Sequence, residues 1–355
     1  MNRDLDTAAP VRHGEELPVA ALETYLAKWL PGASGPLTVE QFPYGYSNLT
    51  YLLRRGGEEF VLRRPPFGNQ VKSAHDMGRE FRVLSKLSAV FPPAPRPYLY
   101  CDDPGVLGGP FYIMERRRGI VLRRAENSGP TLDPPTVRGV SEALIDNLAL
   151  LHALDYKAAG LADLGKPDGY VSRQVTGWIT RYTTAQTEPL SGMDWIAQWL
   201  IDHQPAGSDA ALVHNDYKYD NLVLDPDDLK RVTAVLDWEM ATVGDPLMDL
   251  GTTLGYWVQS GDPEAMHANA VGPTALPGSL TRQDLVARYA DKTGRDMSGI
   301  LFYYCFGVYK IAVIIQQIYA RYVRGHTQDA RFGRLNERVA ALCQTALLAA
   351  KTGRF

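Results

Sequence analysis

Strand-like and helix-like hydrophobic patterns occupy different parts of this chain, and that separation leaves it few folds to adopt. Five β-like runs fall in the first third: Leu37–Phe42, Leu49–Arg54, Glu59–Arg64, Tyr98–Cys101 and Pro110–Glu115. The segment PYGYSN joins the first two, and Arg55-Gly56-Gly57 makes a glycine hairpin turn between the next two. Helical spacing in the same third is limited to Val19–Leu30, stopped by Pro31-Gly32, and Ser73–Leu87, broken by FPPAPRP. From Thr136 onward the pattern is helical, over Thr136–Leu154, Val171–Ala185, Trp195–His203, Arg282–Thr293, Ile300–Val323 and Leu335–Ala350. One small β-like region interrupts it, Asn221–Leu224 and Val232–Leu236, bridged by the turn DPDD. Segregated strands and helices imply an α+β protein. The expected division is an N-lobe over residues 1–115 and a C-lobe over 116–355, with a connector at Glu115–Gly119 and a cleft beside it.

At 355 residues, two lobes or two domains are the natural expectation. A hydrophobic share of 45% supports a proper core, and a formal net charge of -3 argues against a general nucleic-acid binder. Cys101, Cys305 and Cys343 have neither zinc nor disulfide spacing, so a reducing cytoplasm is the expected compartment. The polar N-terminus lacks the apolar core of a standard signal peptide. Leu301–Ala320 is apolar, but Lys310, Gln316 and Gln317 interrupt it, so a buried helix is expected there and no membrane partner.

The chemistry concentrates in His214-Asn215-Asp216-Tyr217-Lys218-Tyr219-Asp220-Asn221, followed by Val235-Leu236-Asp237-Trp238-Glu239. This H-x-D-x-x-x-x-N pattern resembles the catalytic loop of protein kinases and aminoglycoside phosphotransferases. Phosphoryl transfer is mostly positioning and charge neutralisation, so the residue types suit it. Asp216 would orient the acceptor hydroxyl and take its proton. Asn221 and Asp237 supply the oxygen ligands that Mg²⁺, a hard cation, prefers. Singly, an Asp or Asn at such places caps a turn; the joined set points to catalysis.

The longer stretch LVHNDYKYDNLVLD…VTAVLDWEMATVGDPLMDLG resembles the aminoglycoside phosphotransferase-like superfamily. Within it, the chain is most similar to the kinase-like domains associated with acyl-CoA dehydrogenases, which share Trp-Glu after the metal Asp and Gly-Asp-Pro-x-x-Asp beyond it. The resemblance runs from Val39 to about Ala350 and is strongest over His214–Gly251. It implies a bilobal protein-kinase-like fold with a five-stranded antiparallel N-lobe, and ATP (or GTP) with Mg²⁺ as cofactors. The chain lacks the length for the flavoprotein, so a dehydrogenase label on it is expected to be an accident of naming.

By the same resemblance, PYGYSNLTY takes the place of the phosphate lid, with Gly45, Ser47 and Asn48 as phosphate donors. The strand Lys of kinases is replaced by Arg63, which keeps the charge with a different fork, and its helix partner is Glu80. Backbone groups around Glu115 are the expected adenine contacts. The late helices shape the acceptor pocket in the resembling family. Tyr303, Tyr304, Lys310, Gln317 and Arg321 are therefore candidates there, with plain core as the alternative.

Three other motifs fail. Gly160–Pro167 has Pro where a P-loop needs Ser or Thr, and follows a helix where a strand is required. The Ser47 segment lacks the second glycine of a hydrolase elbow. His152 sits on the apolar face LALLHALD and reads as a satisfied helix residue.

The expected activity is transfer of the ATP γ-phosphoryl to a hydroxyl of a small molecule, with a hydroxyacyl-CoA-type metabolite as the first candidate acceptor. An aminoglycoside-type antibiotic kinase is the second; Leu301–Ala320, which lacks carboxylates to meet a polycation, weighs against it. A nucleotide-binding pseudokinase scaffold is the rival from another class. A third reading, a fatty-acid-linked oxidoreductase, lacks a G-x-G-x-x-G after a strand. The oligomeric state is open.

Overall fold

The computed structural model describes residues 6–30, 35–43, 48–67, 76–123, 132–207, 209–267, 270–327 and 329–355. In chain order the first part runs α1 (Val19–Trp29), β1 (Thr38–Gln41), β2 (Leu49–Arg55), β3 (Glu58–Arg64), α2 (Met77–Leu87), β4 (Pro97–Cys101), α3 (Pro104–Leu107) and β5 (Phe111–Glu115). It continues through α4 (Pro134–His152), α5 (Tyr170–Ala185), α6 (Ser191–Asp202), β6 (Ala211–Val213), β7 (Leu222–Leu224), β8 (Val232–Val235) and β9 (Thr242–Gly244). It closes with α7 (Pro246–Tyr256), α8 (Glu264–His267), α9 (Arg282–Thr293), α10 (Ile300–Val323) and α11 (Leu335–Thr352).

The described chain divides into two compact units. The first comprises Met1–Val121, Leu222–Asp228 and Val232–Glu239. Its sheet has five antiparallel strands in the order β1-β2-β3-β5-β4, as the resemblance implied. Strand β3 is central, and Arg63 near its end pairs with Thr50 on one side and Tyr112 on the other. Helix α2 starts where Asp76 caps the Arg79 amide at 2.8 Å. Its buried stripe of Glu80, Val83, Leu84 and Leu87 follows the 3.6-residue period, so a carboxylate shares the face of three aliphatics. Residues 73–75 of the expected Ser73–Leu87 helix lie outside the described residues. The β7–β8 hairpin belongs to this unit, although it lies far beyond residue 115 in sequence. Its turn forms because the Asp225 carboxylate accepts from the amides of Asp227 (2.7 Å) and Asp228 (3.1 Å). An isolated bridge between Ile120 and Leu224 ties the hairpin to the end of the connector.

The second unit comprises Leu122–Asn221, Leu229–Arg231 and Met240–Phe355, and it carries the long helices. Helix α10 runs through its core, mostly buried, as expected for an apolar helix interrupted by Lys and Gln. It crosses α7 at two glycines. A Cβ on Gly251 would strike the Tyr303 carbonyl, and one on Gly307 would strike the Gly251 carbonyl, so only glycine allows these backbones to meet. The short strands β6 and β9 pair antiparallel, from Ala211 with Gly244 to Val213 with Thr242. That pairing sets Val213, at the exit of β6, beside Thr242, and Ala211, at its entry, beside Gly244 just before α7.

Candidate active site

In the second unit, β6 delivers the chain directly into His214-Asn215-Asp216. Asn215 adopts φ 66°, a left-handed conformation that costs a non-glycine residue on the order of 1–3 kcal/mol and persists only when surroundings enforce it. The surroundings here are explicit. Helix α7 opens with Asp245 as its cap and Pro246 in its first turn, which places Asp249 one turn in and fully buried. The Asp249 carboxylate accepts the amides of His214 (2.6 Å) and Asn215 (2.8 Å), while the His152 ring lies 3.2 Å from it. Burial alone would raise the Asp249 pKa, but His152 and these amides outweigh it and hold the carboxyl below the usual range. Burial depresses the His152 pKa, so its ring is neutral near pH 7, and the Tyr289 hydroxyl sits 2.7 Å from Nδ1. The sequence reading of His152 as a satisfied helix residue agrees; its bracing of Asp249 left no sequence signal.

Asn215 is held at its side chain as well. Tyr170 donates to its amide oxygen at 3.0 Å, and its NH₂ donates to the Met240 carbonyl at 3.1 Å. On the other side, Lys310 of α10 donates to the Asn215 carbonyl at 2.5 Å.

Asp216 follows. Its Oδ2 accepts from Lys218 (2.6 Å) and from the Asn221 amide (3.1 Å), and its Oδ1 accepts from the Tyr256 hydroxyl (3.0 Å). Asn221 also donates to the Asp216 carbonyl at 2.8 Å. Two expected site residues, Asp216 and Asn221, are therefore in direct contact, and the Asn221 amide is oriented with its oxygen end turned from Asp216. Burial works against the Lys218 charge, but the Asp216 carboxylate outweighs it and raises the lysine's pKa. Burial, then Asp216, raises that of Tyr256. The carboxylate thus sits among one cation and two neutral donors, an arrangement suited to holding it in one orientation.

The first unit holds the other set. Arg63, nearly fully buried, donates to Glu80 at 2.7 Å and to Asp237 at 2.8 Å, with Glu239 at 3.9 Å. Burial opposes the guanidinium charge, and Glu80, Tyr112, Asp237 and Glu239 outweigh it to push its pKa up. Glu80 also accepts the Trp238 amide at 3.1 Å, which pins the segment beyond β8. Asp237 has φ 68°, so its side chain leaves the chain at a left-handed residue, as Asn215 does in the other unit. Arg63, Glu80 and Asp237, far apart in sequence, meet as one cluster.

Four expected nucleotide contacts remain, Gly45, Ser47, Asn48 and Glu115. Gly45 and Ser47 lie outside the described residues. The Asn48 NH₂ donates to Glu239 at 2.6 Å, so this end of the lid segment is latched to the residue two beyond Asp237. The Glu115 amide is engaged with the Arg96 carbonyl at 2.8 Å, within the sheet edge, so a base contact there would fall to a carbonyl or to later residues. Among the acceptor-pocket candidates, Tyr303 donates to Asp245 at 2.8 Å and Tyr304 is fully buried core. Of these five, Lys310 donates to the His214–Asn221 loop, at the Asn215 carbonyl. Glu239, Asp249 and Tyr256 are partners that sequence reasoning did not single out, although Glu239 and Asp249 stand in motifs it quoted.

Comparison with known proteins follows the same lines. Residues 38–281 match the model of a phosphotransferase enzyme family. The chain is 35% identical over 340 residues to mouse acyl-CoA dehydrogenase family member 10, covering 94% of this chain and 31% of that protein. It is 33% identical over 338 residues to rat acyl-CoA dehydrogenase family member 11, covering 93% and 43%. It therefore spans less than half the length of these relatives. A crystal structure from Ralstonia eutropha JMP134, assigned provisionally as an aminoglycoside phosphotransferase, superposes with a TM-score of 0.80 at 33% identity, covering 95% of this chain and 99% of that one. At 17% identity and a TM-score of 0.57, an aminoglycoside phosphotransferase APH(4)-Ia mutant solved with ADP and hygromycin B shares the fold.

Proposed function

The chain belongs to the phosphotransferase enzyme family, and from that premise we propose that it transfers the γ-phosphoryl of ATP to a hydroxyl of a small molecule, with Mg²⁺. The observation that carries this reading is the construction of Asp216. A carboxylate on a loop clamped by Asp249 and oriented by Lys218, Tyr256 and Asn221 is the positioning that a general base for an alcohol needs.

The donor chemistry fits the absent groups. Mg²⁺ takes oxygen ligands, commonly one or two from protein with the rest from phosphates and water. Asn221 offers an amide oxygen and Asp237 a carboxylate, and these two residues would hold it. The magnesium nucleotide, when bound, supplies the transferable phosphoryl group and neutralises charge as it moves. The remaining work belongs to side chains. Asp216 orients the acceptor hydroxyl and takes its proton. Arg63, its guanidinium held in place by Glu80 and Asp237, supplies a fixed cation for the phosphate oxygens of the nucleotide. Ligands bound by the fold neighbour APH(4)-Ia, ADP among them, support ATP as the nucleotide, with GTP the other candidate.

For the acceptor we propose a hydroxyacyl-CoA-type metabolite, because the relatives named above are acyl-CoA dehydrogenase family members. A screen of hydroxyacyl-CoA, amino-alcohol and sugar acceptors for ADP release tests both halves. Release with one class identifies the acceptor, and release with none removes the transferase reading. One observation favours a second reading, a nucleotide-binding scaffold: Arg63 already occupies Asp237, a proposed metal ligand. Nucleotide binding without ADP release from any acceptor would select it.

A further inference from the structure

Lys310 is a charge without an evident reason to be where it is. It lies on α10, the most apolar helix of the second unit, and is 2% exposed. An ammonium has three donors, and among the described residues this one has a single hydrogen-bond acceptor, the Asn215 carbonyl at 2.5 Å, with the Trp178 ring at 5.6 Å. Burying a cation with so few partners is costly, and a methionine of similar length would fill the site at less cost. The charges that face it are Asp216 and Lys218 from the loop, Asp249 from α7 and Arg181 from α5. Two carboxylates attract it and two cations repel it, so no single counter-ion explains its retention. The carbonyl it holds belongs to the left-handed residue immediately before Asp216. The amide of that same residue is held by Asp249. One peptide unit on each side of Asn215 is thus gripped by a charged group, Asp249 at the amide and Lys310 at the carbonyl.

We propose that Lys310 is a positioning residue for phosphoryl transfer: its ammonium fixes the Asn215–Asp216 peptide, and through it the orientation of the Asp216 carboxylate. This rests on the reading of Asp216 as the base. Lys310 touches neither acceptor nor nucleotide in this role, and its effect reaches the reaction through the loop. Burial pushes its pKa down to about 8 against the pull of Asp216 and Asp249, in keeping with an ammonium kept for function at the expense of stability.

The test compares the full chain with Lys310→Met and Lys310→Gln, the first removing charge and donor, the second keeping a donor. ADP release from MgATP is measured with water and with each acceptor class of the screen, alongside thermal unfolding at pH 7. The expected result for Lys310→Met is a kcat lowered about 10- to 100-fold, a KM for MgATP changed less than about threefold, and an unchanged or raised Tm. Lys310→Gln should recover part of the kcat. A lysine kept only for packing would give the reverse, a lowered Tm with unchanged kcat, and that outcome overturns the proposal. Equal kcat in Lys310→Met and wild type overturns it as well. Lysine 13Cε resonances supply a readout independent of turnover: Asp216→Asn should move the Lys310 titration to lower pH, and no movement would contradict the coupling. Wild-type protein that releases no ADP from MgATP with water or with any acceptor class would instead strike the functional reading, whatever the lysine titration shows.

Discussion

At the scale of single residues, Asn215 and Asp237 are the two non-glycine left-handed positions among the described residues, and each stands in one of the two side-chain clusters. Their identities were visible in the sequence as parts of motifs, but not their conformation, which depends on partners 25 to 174 positions away. Arg63 and Glu80 were reached through the resemblance, which matches Arg63 to the strand Lys of kinases and Glu80 to its helix partner. The neighbour Arg64 shows the limit of such reasoning. Alternation turns it to the opposite face, which suggests a tolerant control, yet it is buried, donates to the Leu107 carbonyl at 3.0 Å and stacks 3.6 Å over Phe67. Arg64→Ala is therefore expected to lower Tm while leaving MgATP-dependent ADP release in the surviving folded fraction. Arg63→Ala should do both harms, since it leaves Glu80 buried beside no cation, a loss of about 3–5 kcal/mol. Denaturant unfolding of the single and double Arg63 and Glu80 variants checks this, and the double should cost less than the sum. A pH dependence also follows from Lys310. Its pKa falls from 10.5 to about 8 on folding, so the unfolded chain binds the proton more tightly between those values. Stability should rise as pH climbs from 8 toward 10, by up to about 3 kcal/mol from this group. Urea midpoints across that window should show the rise in wild type and a flatter line in Lys310→Met.

At the scale of elements, the long periodic segments were legible, and Arg282–Thr293 and Ile300–Val323 coincide with the helices observed. Strands of the first sheet were legible because each is a run of four or more residues bounded by turn or breaker residues. Strands β6 and β9 were not, since three residues carry no period. Helix α7 was missed for a different reason: Met248, Leu250, Thr253 and Leu254 are buried on all sides of it, so no polar face reveals a helical repeat. A start signal was present in Asp245-Pro246, a cap residue followed by the one residue that suits the first turn. The α7–α10 crossing rests on Gly251 and Gly307. Either glycine changed to Ala should force the helices apart, destabilise the fold by about 1–3 kcal/mol and loosen the Asp249 grip on the loop. Calorimetry with parallel ADP-release assays would show Tm and kcat falling together; a kcat that holds while Tm falls would separate the crossing from the loop.

At the scale of the whole molecule, chain order and compact units do not coincide. A linear division at residue 115 assigns Asp237 to the helical part, whereas the structure groups the β7–β8 hairpin and Asp237 with the antiparallel sheet. No sequence pattern announces that grouping, because the bridge from Ile120 to Leu224 is made by backbone alone. Each unit carries its own constellation, Arg63–Glu80–Asp237 in the first and Asp216–Asn221 in the second. Proposed roles differ accordingly. Asp237→Asn should abolish most of the thermal stabilisation that MgATP confers, and equal stabilisation of variant and wild type would refute its metal role. The central claim, that Asp216 serves as the base in phosphoryl transfer, meets its most direct test in ADP release by wild type and Asp216→Asn with the acceptor that the screen identifies, together with MgATP affinity. The account expects kcat to fall about 10²- to 10⁴-fold while MgATP affinity changes little. Unchanged turnover in Asp216→Asn would contradict it.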